Sequence, residues 1–357
     1  MKRRWIVWVT LGLIATVASL AGALVAFSRI ADFEIPAVPA TDIGFEHDGA
    51  TLQGTLLAAS EIGPILLIVH GDGAQDRWSD TGYLPLINAL VGAGVSVFSW
   101  DKPGVGASSG NWLSQSMHDR AAEAAEALAA IRAQPGNENR PIGLLGFSQA
   151  GWVLPRVPSL TEQADFLVLI GAAINWQDQG RYFTTVQLSR EGRSLEEIAA
   201  ELDRQAKSDQ RRFGPGATYR DYVAAERAAG RPEGEILTED RFGFIRLNHG
   251  EDAREHIARL TLPMLVLMGA DDLNVDPLET VSVYQELIGM AHPQNRIHLI
   301  PGATHSLLDA RYYNYQLPDQ WPFAAKVRFA LAGRDAYSRD VINIIAGWID
   351  ETAVITQ

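Results

Sequence analysis

The chain of 357 residues contains no cysteine. That excludes disulfides, thiolate metal sites and a cysteine nucleophile. Basic charge is also scarce: 30 Lys and Arg against 43 Asp and Glu leave a formal net charge of -13. Such a surface matches phosphate backbones poorly, so nucleic acid is not expected as a partner. The eight histidines include no H-E-x-x-H pair. His249 and His256, in an acidic helical stretch, read as surface residues, and no metal site is expected. Gly104-Val105-Gly106 begins like a dinucleotide fingerprint, but the next glycine is Gly110 and no helical pattern opens there. No cofactor is expected.

What the chain does have is apolar bulk, 47% hydrophobic against 20% charged residues, enough for a large core. Lys2, Arg3 and Arg4 precede an apolar run from Trp5 to Phe27 without a charge. A hydrocarbon core takes roughly 20 residues to cross, so residues 1–30 read as a transmembrane anchor. The alternative is a signal segment cut near Ala21-Gly22-Ala23. Basic residues stay cytoplasmic, which would place the remainder outside the inner membrane, or in the periplasm or medium after cleavage. Residues 31–41 are Pro-rich and aperiodic and read as a linker.

Alternating residues 43–47 and 51–57 flank Asp48-Gly49, a hairpin signal. Short unbroken apolar runs follow at 65–69, 95–99, 142–145, 166–170, 264–268 and 296–300, as strands buried on both faces require. Helical patterns lie between them at 83–91, at 117–132 behind a Ser116/Asp119 capping box, and at 277–288. The repeat predicts a doubly wound, mostly parallel α/β sheet. It is divided into 42–171 and 261–357 by a polar stretch at 172–260 with helical spacing at 195–207 and 219–229, read as a helical cap insertion. A last helix, with Ser338 as its cap, is expected through Ile349, carrying Val341, Ile344, Ile345 and Trp348 on one stripe.

Gly146-Phe147-Ser148-Gln149-Ala150-Gly151 directly follows a buried strand. A sharp strand-to-helix turn with small flanking residues lifts a serine hydroxyl out of the backbone and aims a helix N-terminus at the developing oxyanion. Such a serine needs a base, and the base needs a carboxylate to hold its tautomer. Asp272, in the loop after 264–268, is the candidate acid. Asp271 is adjacent, and Asp276, before Pro277, reads as a helix cap. His305, in the small-residue loop 301–306, is the candidate base. Oxyanion donors are sought in the backbone N–H groups of Gln149 and of Gly71 and Asp72, in the glycine-bearing loop after 65–69. Tyr312, Tyr313, Tyr315, Trp321 and Phe323 read as buried packing, with an acyl pocket or lipid contact as the alternatives.

Two further segments make a family resemblance. His70-Gly71-Asp72-Gly73-Ala74-Gln75-Asp76-Arg77 resembles the H-G-S-G-P-Q-D-R segment of a bacterial esterase and peptidase-like branch of the α/β-hydrolase family, and 101–108 resembles its D-x-x-G-x-G-x-S loop. With the serine turn, 269–272 and 302–305, the resemblance spans about 70–305 outside the insertion. It implies an α/β-hydrolase fold and a serine hydrolase with Ser148 as nucleophile, Asp272 as acid, His305 as base and a small-molecule acyl substrate. Amide or peptide cleavage is the alternative. Asp72 stands where the family motif has Ser, and Ala150 where the turn usually has Gly. Those two departures keep open a catalytically silent fold used for binding.

Overall fold

The computed structural model describes residues 29–355. Eight strands form one sheet: β1 (Ala40–His47), β2 (Ala50–Leu57), β3 (Ile65–Val69), β4 (Ser96–Trp100), β5 (Ile142–Phe147), β6 (Phe166–Ile170), β7 (Met264–Gly269) and β8 (Arg296–Ile300). Their order is β1-β2-β4-β3-β5-β6-β7-β8. β1 and β2 pair antiparallel, as do β2 and β4; every later pair is parallel. The hairpin turns at Asp48 (φ 45°) and Gly49 (φ 76°), two successive left-handed residues that suit the twist of the flanking strands.

Among the described residues the α-helices of nine or more residues are α1 (Leu84–Gly92), α2 (Met117–Arg132), α3 (Trp176–Arg190), α4 (Leu195–Phe213), α5 (Tyr219–Ala228), α6 (Glu239–Asn248), α7 (Pro277–Ile288), α8 (Phe323–Ala332) and α9 (Val341–Ile355). Because strand side chains alternate, β3 sends Ile65, Leu67 and Val69 to one face with α2 and α7, and Leu66 and Ile68 to the other with α1 and α9. Covered on both faces, β3 and β6 are buried throughout, which is why they read as continuous apolar runs. Asp119 completes the Ser116 capping box of α2, and Asp276 caps α7 through the N–H groups of Leu278 and Glu279.

Between β6 and β7 stand α3 to α6. This part is seated on the sheet by stacked Trp152 and Trp176 (5.0 Å) and by buried Asn248, whose side chain accepts from Met117 N (3.0 Å) and donates to the Gln115 carbonyl.

Four expectations need correction. Ser338 does not cap the last helix; α9 starts at Val341, after Asp340 at φ 64°, and runs past Ile349 to Ile355. β8 is half exposed, because an edge strand has a neighbour on one side only. α4 continues six residues beyond 207, to Phe213. The stretch read as a linker is held down: Asp32 is buried and takes the Arg334 guanidinium and backbone N–H, while Phe33 meets Phe329 edge-on at 5.2 Å. Among the described residues no helix is long and apolar enough to cross a membrane; the run Trp5 to Phe27 lies outside them.

Candidate active site

β5 ends at Phe147 and the chain turns at Ser148 with φ 51°, a left-handed conformation rare outside glycine, before a short helical turn Ser148–Gly151. The turn is tight because its neighbours are small. A Cβ on Gly146 would meet the Ala150 methyl at 2.6 Å, and one on Gly151 would meet the Ala173 carbonyl at 2.6 Å. Ala150 in place of glycine is thus accommodated by the bare Cα of Gly146, and its methyl is fully buried.

His305 and Asp272 come together across the ends of β7 and β8: the ring Nδ1 donates to Asp272 Oδ2 at 2.7 Å. The buried carboxylate's other oxygen accepts the N–H groups of Asn274 (2.7 Å) and Val275 (3.0 Å). Tyr182, from α3, donates to the Asp272 carbonyl at 2.7 Å. Burial works against a charged His305, but the Asp272 charge and hydrogen bond outweigh it, and the ring's pKa lies above the ordinary histidine value. No hydrogen bond joins Ser148 to His305 among the described residues. The loop after β6 borders both: the Ala173 N–H meets the Ser148 carbonyl, and Gly171 lies against His305.

Gly171 has φ 61°, and a Cβ there would sit 2.6 Å from the His305 carbonyl and 2.9 Å from its Nδ1. Gly171→Ala is expected to destabilise the fold by about 1–3 kcal/mol and to push the ring off Asp272. Thermal denaturation and ring NMR of the variant check both effects.

Gly71 lies beside the serine, its absent Cβ 3.5 Å from Ser148 Cβ. The loop is held from below. Lys102 Nζ donates to the carbonyls of Gly71 (2.6 Å) and Gly73 (2.8 Å), and buried Arg120 donates to the His70 carbonyl (2.6 Å) and to Gln149 Oε1. These bonds to its carbonyls hold the loop's backbone in place, with the Gly73 N–H toward the Asp72 carboxylate. Burial and the neighbouring Arg120 charge hold Lys102 well below its ordinary pKa. His70 is pushed down to about 3 by burial and then by Lys102, so it is neutral and its Nε2–H donates to the Trp100 carbonyl at 2.6 Å.

Asp72 does not hang loose over the oxyanion position. Gln149 Nε2 donates to its Oδ1 (3.1 Å), and Arg241 from α6 grips both carboxylate oxygens at 3.2 and 2.9 Å. Burial opposes the charge, but that grip, with Lys102 nearby, keeps the carboxyl below the ordinary aspartate range.

The segments that carried the resemblance interlock. Arg77 donates its backbone N–H (2.8 Å), Nε (3.0 Å) and a terminal nitrogen (2.7 Å) to Asp101, whose Oδ2 also accepts Ala107 N (2.9 Å). Gly106, at φ 55°, leaves no space for a Cβ beside that carboxylate. Asp271 donates its backbone N–H to the Ala303 carbonyl, at 3.0 Å. In the aromatic group, Tyr313 is buried against Trp321 and Phe329, whereas Phe323 is exposed.

Sequence reasoning missed Lys102, Arg120, Gly171 and Arg241. Arg120 carried a signal, a lone cation on the apolar face of α2 with Met117, Ala121, Ala124 and Leu128. Arg241 carried none.

Residues 61–310 match the family described as serine aminopeptidase, S33. No curated relative matches. An esterase from Pyrococcus furiosus is similar in structure at 16% identity, over 77% of this chain and 84% of its own, with a TM-score of 0.53. The α/β hydrolase GrgF from Penicillium sp. sh18 aligns at 16% identity over 89% and 100%, TM-score 0.54. Est1E from Butyrivibrio proteoclasticus, solved with ferulic acid bound, aligns at 12% over 88% and 98%, TM-score 0.50. At these identities the likeness is one of fold.

Proposed function

The chain belongs to the serine aminopeptidase, S33 family of α/β-hydrolase enzymes, and from that premise we propose that it cleaves carboxylic esters or related acyl bonds through Ser148, His305 and Asp272. The observation that supports this reading is the left-handed Ser148 turn beside Gly71, together with a His305–Asp272 pair bordered by the same loop after β6.

His305 Nε2 takes the Ser148 proton, and Oγ attacks the substrate carbonyl. The backbone N–H of Gln149 and those of Gly71 and Asp72 hold the oxyanion. The protonated ring then gives its proton to the leaving group, and water, deprotonated by the same nitrogen, releases the acyl group. The substrate is a small acyl compound, and Asp272 stabilises the imidazolium without being protonated. The family's description favours amide cleavage as a second reading. Parallel assays with acyl esters and aminoacyl amides separate the two, since only a site matched to the amine leaving group turns over the amides at comparable rates.

Arg241 is proposed to neutralise Asp72. Both side chains are partly exposed, at 31% and 45%, so Arg241→Ala is expected to change folding stability by less than about 1 kcal/mol. The freed carboxylate would oppose negative charge on the substrate oxygen and lower kcat/KM about tenfold, which corresponds to 1.4 kcal/mol. Unchanged kinetics would show that the Asp72 charge is not felt there.

Residues 5–27 are further proposed to anchor the enzyme in the inner membrane with its catalytic part outside the cytoplasm, on the strength of their length, lack of charge and preceding basic cluster. Cleavage and release is the alternative.

A further inference from the structure

The apolar stripe of α8 faces water. Phe323, Val327 and Leu331 recur at intervals of four, on one side of the helix, and are 81%, 39% and 46% exposed. Ala325 is the one residue of this helix that is buried. Beside the stripe, Tyr312 is also exposed, and together with Arg311 and Arg328 it brings apolar and basic groups to one surface. A groove of about 820 Å³ runs along it. Arg328 lies 4.0 Å above the Tyr312 ring. Of the neighbouring acids, Asp309 pairs with Arg311 and Asp335 with Arg29, while exposed Asp319 has no ion pair among the described residues.

What lies against such a face is indicated by where Arg29 is held. Arg29, two residues after the apolar run, is fixed to the end of α8: its Nε donates to Asp335 (2.6 Å), and its carbonyl sits where a Cβ on Gly333, the residue closing α8, would be 2.6 Å away. Asp32 and Phe33 tie the following turn to Arg334 and Phe329. In sequence only Ser28 stands between Arg29 and the apolar run, so a membrane holding the proposed anchor would meet the body near the end of α8.

The geometry points to α8 and Tyr312 as a membrane-docking surface, with Phe323, Val327 and Leu331 in the interfacial region of the bilayer and Arg311, Lys326 and Arg328 toward its headgroups. Aromatic and aliphatic side chains ringed by Lys and Arg suit that boundary, where the apolar part is buried and the cations meet lipid phosphate. Gln316, in the connection from His305 to α8, donates to the Leu273 carbonyl at 3.0 Å, next to Asp272. The connection leading to α8 is thus held against the loop that carries Asp272.

This inference rests on the anchoring reading, and one experiment separates their failures. The native chain has no cysteine, so Val327→Cys and, as a control at a 98% exposed position, Met290→Cys take an environment-sensitive fluorophore without background. The full chain is reconstituted into vesicles of phosphatidylcholine and phosphatidylglycerol, with and without spin-labelled lipid. Flotation with the vesicles, together with a blue-shifted label at 327 quenched by the spin-labelled lipid and an unquenched label at 290, is the expected result. Adding Phe323→Asp and Leu331→Asp should remove the quenching at 327 without affecting flotation. A chain that floats while its 327 label stays solvent-like overturns the docking and leaves the anchor. A blue-shifted label that lipid does not quench shows the face covered by protein and overturns it equally. A chain that does not float overturns the anchor and the docking together.

Discussion

Ser148→Ala is expected to lower kcat/KM for a p-nitrophenyl ester by about 10⁴- to 10⁶-fold, the largest effect of any single substitution in the molecule. The size follows from the proposed chemistry. Without Oγ there is no acyl-enzyme, and what remains is whatever the oxyanion donors and binding contribute toward direct attack by water. The substitution removes one oxygen from a partly exposed turn and leaves Gly146, Ala150 and Gly151 in contact, so the fold should survive. A fluorophosphonate probe should label the native chain and fail on the variant. A native chain that takes no label, or a variant that keeps its turnover, would defeat the nucleophile and favour the silent-scaffold reading.

The second large effect is expected at Asp272. Asp272→Asn keeps the shape of the site but offers His305 an amide, which disfavours the tautomer carrying its proton on Nδ1; a loss of about 10⁴-fold in kcat is expected. It also carries a pH signature. In the native enzyme Asp272 holds the ring's pKa above the ordinary histidine value, against the effect of burial. The reacting form is the neutral ring, so activity should rise with pH through a midpoint above that ordinary value and fall away on the acid side. In Asp272→Asn the opposing burial acts alone, and the acid limb of the residual activity should move to lower pH. A limb that stays in place would mean that some other group controls it.

Much of the fold was legible because burial on both faces leaves a plain trace. The runs at β3 and β6 matched their strands residue for residue, and Ser116, Asp119 and Asp276 marked helix starts through side chains that satisfy free N–H groups. The misreadings have local causes. Ser338 was a plausible cap, but the chain inserts a left-handed turn at Asp340 first. The stretch 31–41 looks like linker by composition, because a single buried Asp32 meeting an arginine three hundred residues away leaves no periodicity. At the site, Asp272 and His305 could be raised as candidates because each closes a strand at the same edge of the sheet. The supports beneath them were less visible: Lys102 acts through carbonyl groups and Arg241 reaches in from the insertion. No spacing rule connects Arg241 to Asp72, 169 positions apart.

The left-handed backbone at Ser148 has a consequence beyond geometry. Glycine would rest there at ease, whereas a residue with a side chain is held in place by everything around it. Selection for thermal endurance alone would drift toward the smaller residue and extinguish the reaction. Durability and turnover therefore pull against each other at one position, and stabilising changes are better sought away from it.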